Sequence, residues 1–446
     1  MNTAYEKIIH DLAPKKFSWK GNAWVAVLVL IILAGIYSYV QQLKHGLVIT
    51  GMRDYALWGI YISNFVFFVA VSLVGSLITA ILRLSDVHWS TPLTRIAEII
   101  AVAAIIMAGI AIIIDMGRPD RVLNLFVHGR LQSPIIWDVI VISTYLVLSI
   151  LFLYYPLLPD FTLLSKHFTG NSKLAKWYRV LSLNWSGNER QVRIYSRSIK
   201  VLSVLIIPVA FAIHTVTAWL FETTYRPGWD STNFGPYFVA GAFVAGSSAV
   251  IVVMYVLRKT YKLDDYITDR HFDLMGKILV MLSLLYLYFN INEYLMPTYK
   301  STEEEAGHLR SLFLGEYAWS LFLGEYAWLF WTAIVGGLVV PVVVLIFPQG
   351  RKPLPLFVVS LAVVTGAWWK RYLIVIPTLS HPFLPIEGVP EAWRHYSPTW
   401  MEWSITAATL ASALLIVTFL VRFLPIIPIH ETAEERGLLE GQSVNK

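Results

Sequence analysis

Ten stretches of this chain are each about 20 or more mostly apolar residues long, the length that crosses the hydrocarbon core of a bilayer. They run over 23–42, 55–82, 93–116, 135–157, 199–222, 235–257, 274–296, 319–347, 354–378 and 401–424 of 446 residues, leaving room only for loops and short tails. An unpaired peptide group is too costly in lipid, so spans of this length are helices. Composition agrees: 57% of residues are hydrophobic and 14% charged, against about a quarter charged in soluble domains. The expected fold is an all-α integral membrane protein with ten transmembrane helices. The first window follows Lys7, Lys15, Lys16 and Lys20 and lacks a small-residue cleavage site, which marks a retained span and not a signal peptide.

Basic residues report orientation. Of 35 Lys and Arg, about 23 lie on the side of the N-terminus and about 9 on the other, with Arg95, Lys370 and Arg371 inside spans. Both termini are therefore expected in the cytoplasm of a bacterial inner membrane. A pI near 9.2 calls for no nucleic acid, because the basic residues form short clusters beside apolar runs and not a stripe with interleaved aromatics. The chain has no cysteine, which excludes a disulfide scaffold, thiolate metal ligation and an iron–sulfur cluster held by this chain. His214 is the single histidine deep in a span, so a bis-histidine haem lacks its second ligand. No metal, haem or cluster is expected here.

The second to fifth windows and the sixth to ninth share spacing and orientation, which predicts two four-helix bundles in parallel repeat. The expected units are 1–54 with the first helix, 55–222 as first bundle, 223–378 as second, and 379–446 with the last helix and tail. The nonapeptide SLFLGEYAW occurs at 311–319 and again at 320–328. Nine residues turn a helix by about 900°, so the copies would face opposite ways. The second is expected in the eighth span and the first as its lead-in.

Ionisable residues at membrane depth are costly and mark function by default. With the N-terminus inside, Asp54, Asp115, Arg118, Asp138, Glu222, Asn290, Asn292 and Glu293 collect at outer helix ends. His214, Lys370 and Arg371 lie about 24 Å from the inner surface. The densest segment, 112–138, joins the third and fourth spans and carries Asp115, Arg118, Asp120, Arg121, His128, Arg130 and Asp138. Asp120, Arg121 and Arg130 read as loop-anchoring charges. For Asp115 and Asp138, among apolar neighbours, a structural and a functional role stand side by side. His214 is either a packed, hydrogen-bonded residue or a proton exchanger. Arg95 and Glu98, three apart on one helical face, read as a neutralised pair. The alternative makes Glu98 the start of a proton route with Asn64, Ser72 and Ser76, and Glu293 at the outer end. Trp58, Trp137, Trp368 and Trp369 read as interface aromatics.

A lipid-soluble quinol releases two electrons and two protons, so its site needs an apolar cleft, a base for each hydroxyl and an acceptor nearby. Asp138 or Asp115 together with His214 would supply bases, and the acceptor would have to sit in a partner. A solute or ion transporter and a structural anchor for other subunits are the competing classes.

DMGRPDR at 115–121, SPIIWD at 133–138, HTVTAW at 214–219, RPGWDSTNFGPYF at 226–238 and WKRYLIVIP at 369–377 together resemble the NrfD/PsrC family of quinone-interacting membrane subunits. Within it the likeness is greatest to the ActC-type subunit of alternative complex III. The resemblance spans about 20 to 425. It implies paired four-helix bundles, menaquinone or ubiquinone as substrate and a quinol site near the periplasmic surface. As partners it implies c-type haem subunits, a periplasmic iron–sulfur subunit and a second homologous membrane subunit. It also implies possible proton translocation. Carried over by residue, the pocket falls on Asp115, Arg118, Asp138 and His214, with His128, Arg371 and Glu222 as further members. The doubled SLFLGEYAW departs from the family pattern and leaves Glu316 and Glu325 unassigned.

Overall fold

The computed structural model describes residues 3–15, 18–85, 88–168, 172–300, 302–313, 325–384 and 386–438. Among them there is no strand, and ten helices are long and apolar enough to span a bilayer. They are α1 (Trp19–His45), α2 (Ile60–Leu84), α3 (Thr91–Asp115), α4 (Pro134–Tyr154), α5 (Glu189–Glu222), α6 (Phe234–Tyr261), α7 (Asp269–Lys300), α8 (Ala327–Ile346), α9 (Pro353–Leu379) and α10 (Trp400–Phe423).

Local chemistry sets their ends. Proline stands in the first turn of α3, α4 and α9, where its missing N–H would have had no helical partner. At α10, Thr399 and Glu402 form a reciprocal capping box. α5 begins ten residues before its apolar window, because the Asn188 side chain accepts from the Gln191 amide and caps a polar extension. The window 135–157 is broken instead: α4 stops at Tyr154 and Leu157–His167 forms a separate helix. α8 is π-helical over Thr332–Val339. Residues 314–324 of the doubled nonapeptide, including Glu316, lie outside the described residues. The second copy gives α8 only Ala327 and Trp328, and Glu325 sits at the surface 3.2 Å from His395.

The helices close into two rings. α2, α3, α4 and α5 each touch the next, and α5 returns to α2; α6, α7, α8 and α9 repeat the pattern, with α9 returning to α6. The rings share a wall where α2 packs on α6. α1 and α10 lie together outside the rings, with α10 against α3 and α2. Close approach needs small residues, as is usual between membrane helices. A Cβ on Gly75 of α2 would lie 2.0 Å from the Ala97 carbonyl oxygen of α3. One on Gly35 of α1 would lie 2.1 Å from Ala408 Cβ of α10.

Alternating traverses put both terminal segments on one face, here the terminal face; the other is the distal face. The His430 amide donates to Asp160 at 2.9 Å, and Glu431 lies 3.4 Å from Arg83, tying the C-terminal segment to the terminal ends of the first ring.

Candidate functional site

Starting α4 at Pro134 places Asp138 one turn into the helix at its distal end. Asp138 is 3% exposed, and its Oδ1 accepts a 2.7 Å hydrogen bond from Thr217 of α5. One turn earlier on α5 is His214, 2% exposed. Its Nδ1 lies 3.4 Å from the Ala210 carbonyl, while Nε2 has no hydrogen-bond partner among the described residues. Asp115, the last residue of α3, is partly buried and its Oδ1 is also without such a partner. Nearly all buried polar atoms in folded proteins are hydrogen-bonded. Two bare ones at the distal end of one ring leave hydrogen bonds that a hydroxyl-bearing ligand or water can complete. On the distal side of this end a groove of about 390 Å³ opens between Met116 and Ile136, lined also by Arg121, Leu125, His128 and Arg130.

Neighbouring side chains brace the region. Gln42 of α1 donates to the Ile114 carbonyl at 2.8 Å and accepts from the Tyr61 hydroxyl of α2 at 2.8 Å. Glu402, fully buried, accepts from the Gly51 amide at 2.7 Å and the Tyr396 hydroxyl at 2.6 Å, pinning two distal loops to the start of α10. Gln42 and Tyr61 carry no sequence signal beyond being polar in apolar runs, and Thr217 only its place in HTVTAW at 214–219. Glu402 carries one, as the fourth residue of a capping box.

Several expected members of the pocket stand elsewhere. Arg118 is exposed and makes a two-pronged contact with Asp120 at 3.0 and 2.9 Å, so it holds neither Asp115 nor Asp138. That guanidinium keeps the Asp120 carboxyl below the usual range. The reason is chain geometry: Gly117 and Pro119 turn Arg118 outward beyond the end of α3. His128 is exposed and lines only the outer groove. Glu222 is partly buried at the end of α5 and accepts from the Gly235 amide. Arg371 belongs to the second ring, where it is buried 3.4 Å from the Tyr286 hydroxyl.

No direct hydrogen bond among the described residues links Glu98 to Ser72, Ser76 or Asn64. Glu98 belongs to a buried network at the terminal end, 3.1 Å from Arg83 and 3.6 Å from Arg95, which in turn lies 3.3 Å from Asp160. Ser72 bonds its own helix at Val69, Ser76 bonds Ser149 at 3.4 Å, and Asn64 bonds Thr406 and Trp368. Glu293 lies in the second ring at the opposite end, 3.2 Å from Lys370. The tryptophans are also more than interface anchors: Trp58 stacks on Trp229, and Trp368 donates to Asn64 at 2.8 Å.

A family model, "Polysulphide reductase, NrfD", matches residues 48–381 of this chain. The chain belongs to the NrfD family. Three relatives span nearly their full length with it. One, from Halobacterium salinarum, is provisionally named as a membrane subunit of dimethyl sulfoxide reductase (28% identical, 92% of each chain). A second is a selenate reductase subunit of Mesobacillus selenatarsenatis (21%, spanning 92% of this chain and 96% of the relative). A third is the menaquinone reductase integral membrane subunit of Nitratidesulfovibrio vulgaris (22%, 91% of each). As an NrfD-family member with ten apolar helices, the chain is a multi-pass integral membrane protein.

Proposed function

We propose that this NrfD-family chain is the quinol-binding membrane subunit of an oxidoreductase complex of the alternative complex III type, with the quinol headgroup at the distal end of the first ring. The observation that carries the reading is the buried Asp138–Thr217 bond one helical turn from His214 with its bare Nε2, at the same distal end of the ring as the groove lined by Met116 and Ile136. A quinol yields a quinone, two protons and two electrons. Asp138 takes one hydroxyl proton and His214 Nε2 the other, and Thr217 fixes the carboxylate oxygen it bonds. The electrons leave for an iron–sulfur cluster in a partner docked over the distal face, with c-type haem subunits beyond it and a second homologous membrane subunit alongside. Basic-residue asymmetry makes the distal face periplasmic and the termini cytoplasmic in a bacterial inner membrane. Menaquinol is the favoured substrate, in line with the name of the Nitratidesulfovibrio vulgaris relative. Proton translocation is proposed to accompany the redox step.

The test is protection by a quinone analogue in the purified complex. Bound analogue should shield the α4 and α5 positions around Asp138 and His214 from carboxyl- and imidazole-directed reagents, and Asp138→Asn should weaken the binding. Labelling unchanged by analogue would remove the site from this chain and leave a transporter or an anchor.

A further inference from the structure

The polar end of the first ring has a counterpart in the second. α5 and α9 are the fourth helices of their rings. His214 stands eight residues before the end of α5 at Glu222, and Arg371 eight residues before the end of α9 at Leu379. Where one ring carries an imidazole, the other carries Lys370 and Arg371, each 3% exposed.

Their surroundings are those of a site and not of a sealed ion pair. From α7, Glu293 lies 3.2 Å from Lys370 Nζ and the Tyr294 hydroxyl accepts a hydrogen bond from it. From α6, Tyr237 presents its ring to Lys370 and accepts from the Tyr286 hydroxyl. Arg371 reaches only that Tyr286 hydroxyl and has no ion-pair partner among the described residues. Of two adjacent buried cations, Lys370 thus has a carboxylate at ion-pair distance and Arg371 has none among the described residues.

Beside the pair is a cavity of about 20 Å³, bordered by Glu293, Tyr294, Lys370, Thr378 and His308. That is room for one water molecule. Glu293 Oε2, close to the ammonium but not hydrogen-bonded to it, and the Nδ1 of buried His308 both lack a hydrogen-bond partner there. Most buried polar atoms are hydrogen-bonded, so these two bare atoms leave hydrogen bonds that a water in the cavity can complete.

Ionisable side chains continue from the cavity toward the distal surface. His308 lies on the helix Glu303–Phe313, and Glu305, three residues back and 2% exposed, shares its face. Glu305 is 3.4 Å from Lys300, whose half-exposed side chain reaches Asp230 at 3.1 Å on the distal surface.

We propose that Glu293, held by Lys370 beside this cavity, is a proton-exchange site of the second ring, reached from the distal face through His308, Glu305 and Lys300. A proton arriving from the distal face is taken up by the cavity water as that water passes one of its own to Glu293 Oε2, so one O–H bond forms on the water as another breaks and no hydroxide is left; Lys370 is the counter-charge of the ionised carboxylate. No redox step is needed, so the site does not depend on the quinol reading.

The experiment is infrared difference spectroscopy on a pH step, with the full chain in lipid nanodiscs, in H₂O and in D₂O. The wild type should give a carboxyl C=O band that shifts in D₂O, and Glu293→Gln should abolish it. Lys370→Gln should move the pH midpoint of the band by about one to three units, the usual effect of an adjacent charge. A band that persists in Glu293→Gln, ignores D₂O, or keeps its midpoint in Lys370→Gln overturns the proposal. Should Glu293→Gln fail to insert, the D₂O response and the Lys370→Gln midpoint decide. Quinone-analogue binding in the same nanodiscs keeps the two readings apart. Binding without the Glu293 band refutes this inference alone, and the band without binding refutes the quinol reading alone.

Discussion

Asp138→Asn is the perturbation that isolates proton acceptance. The amide has the carboxylate's shape, and its oxygen can still accept the 2.7 Å bond from Thr217, so packing at this buried position is conserved. What is lost is the base. Removing a positioned general base costs about 10² to 10⁴ in rate, so quinol oxidation by the assembled complex should fall at least 10²-fold. Thr217→Val removes only the hydrogen bond that fixes the carboxylate. A bond to a charged group is worth about 1.5 to 3 kcal/mol, and each 1.36 kcal/mol is a factor of ten. Full expression in the barrier therefore gives about 10- to 150-fold, and partial expression less. The order should be Asp138→Asn, then Thr217→Val, then wild type. The assay is quinol-dependent reduction of a soluble electron acceptor by purified complex, normalised to assembled subunits. Wild-type turnover in a normally assembled Asp138→Asn complex would refute the reasoning, as would a Thr217→Val defect larger than that of Asp138→Asn.

Arg118→Gln should leave turnover unchanged in the same assay, because Arg118 spends its contacts on exposed Asp120 and surface pairs contribute little; a large loss would return Arg118 to the pocket. Gly75→Val should destabilise the α2–α3 seam by about 1 to 3 kcal/mol, the usual cost of overpacking, because its Cβ starts 2.0 Å from a carbonyl oxygen; the readout is a lowered thermal midpoint in detergent. Burial, with His381 and Lys370 nearby, pushes the His308 imidazole down to about 3 from an ordinary 6.5. Between those values the unfolded segment binds a proton that the folded one does not, so stability is complete above about pH 6.5 and declines as pH falls toward 3. Protection factors for hydrogen exchange across 303–313, corrected for the intrinsic pH dependence of exchange, should therefore fall on acidification in wild type, and His308→Gln should flatten that dependence.

Hydropathy made the ten spans legible because a bilayer demands about 20 apolar residues and little else. The same physics hid how they pack. Lipid and protein interior are equally apolar, so periodicity does not say which face is inside. α2 and α1 have similar hydropathy, 2.6 and 2.4, yet the most apolar stretch of α2 is 83% buried and that of α1 17%. Spacing did foreshadow the paired rings, since equal loop spacing forces equal orientation. Asp138 and His214 were legible as ionisable residues in apolar runs. Their partners were not, because Thr217 resembles any helix hydroxyl until α4 is laid against α5. Arg118 misled for the converse reason: sequence proximity to Asp115 says nothing about a turn that swings the side chain outward.

The pairing of α1 with α10 joins the first of the ten spans to the tenth. Domains emerge and fold in N-to-C order, so the Gln42–Ile114 contact can form while most of the chain is still unmade. The Glu402–Gly51 contact waits for α10. Until then the Gly35 stripe of α1 faces lipid with nothing in its groove. Arrival of α10 is therefore registered structurally at the distal face, and a product truncated before α10 would present an open seam to membrane quality control.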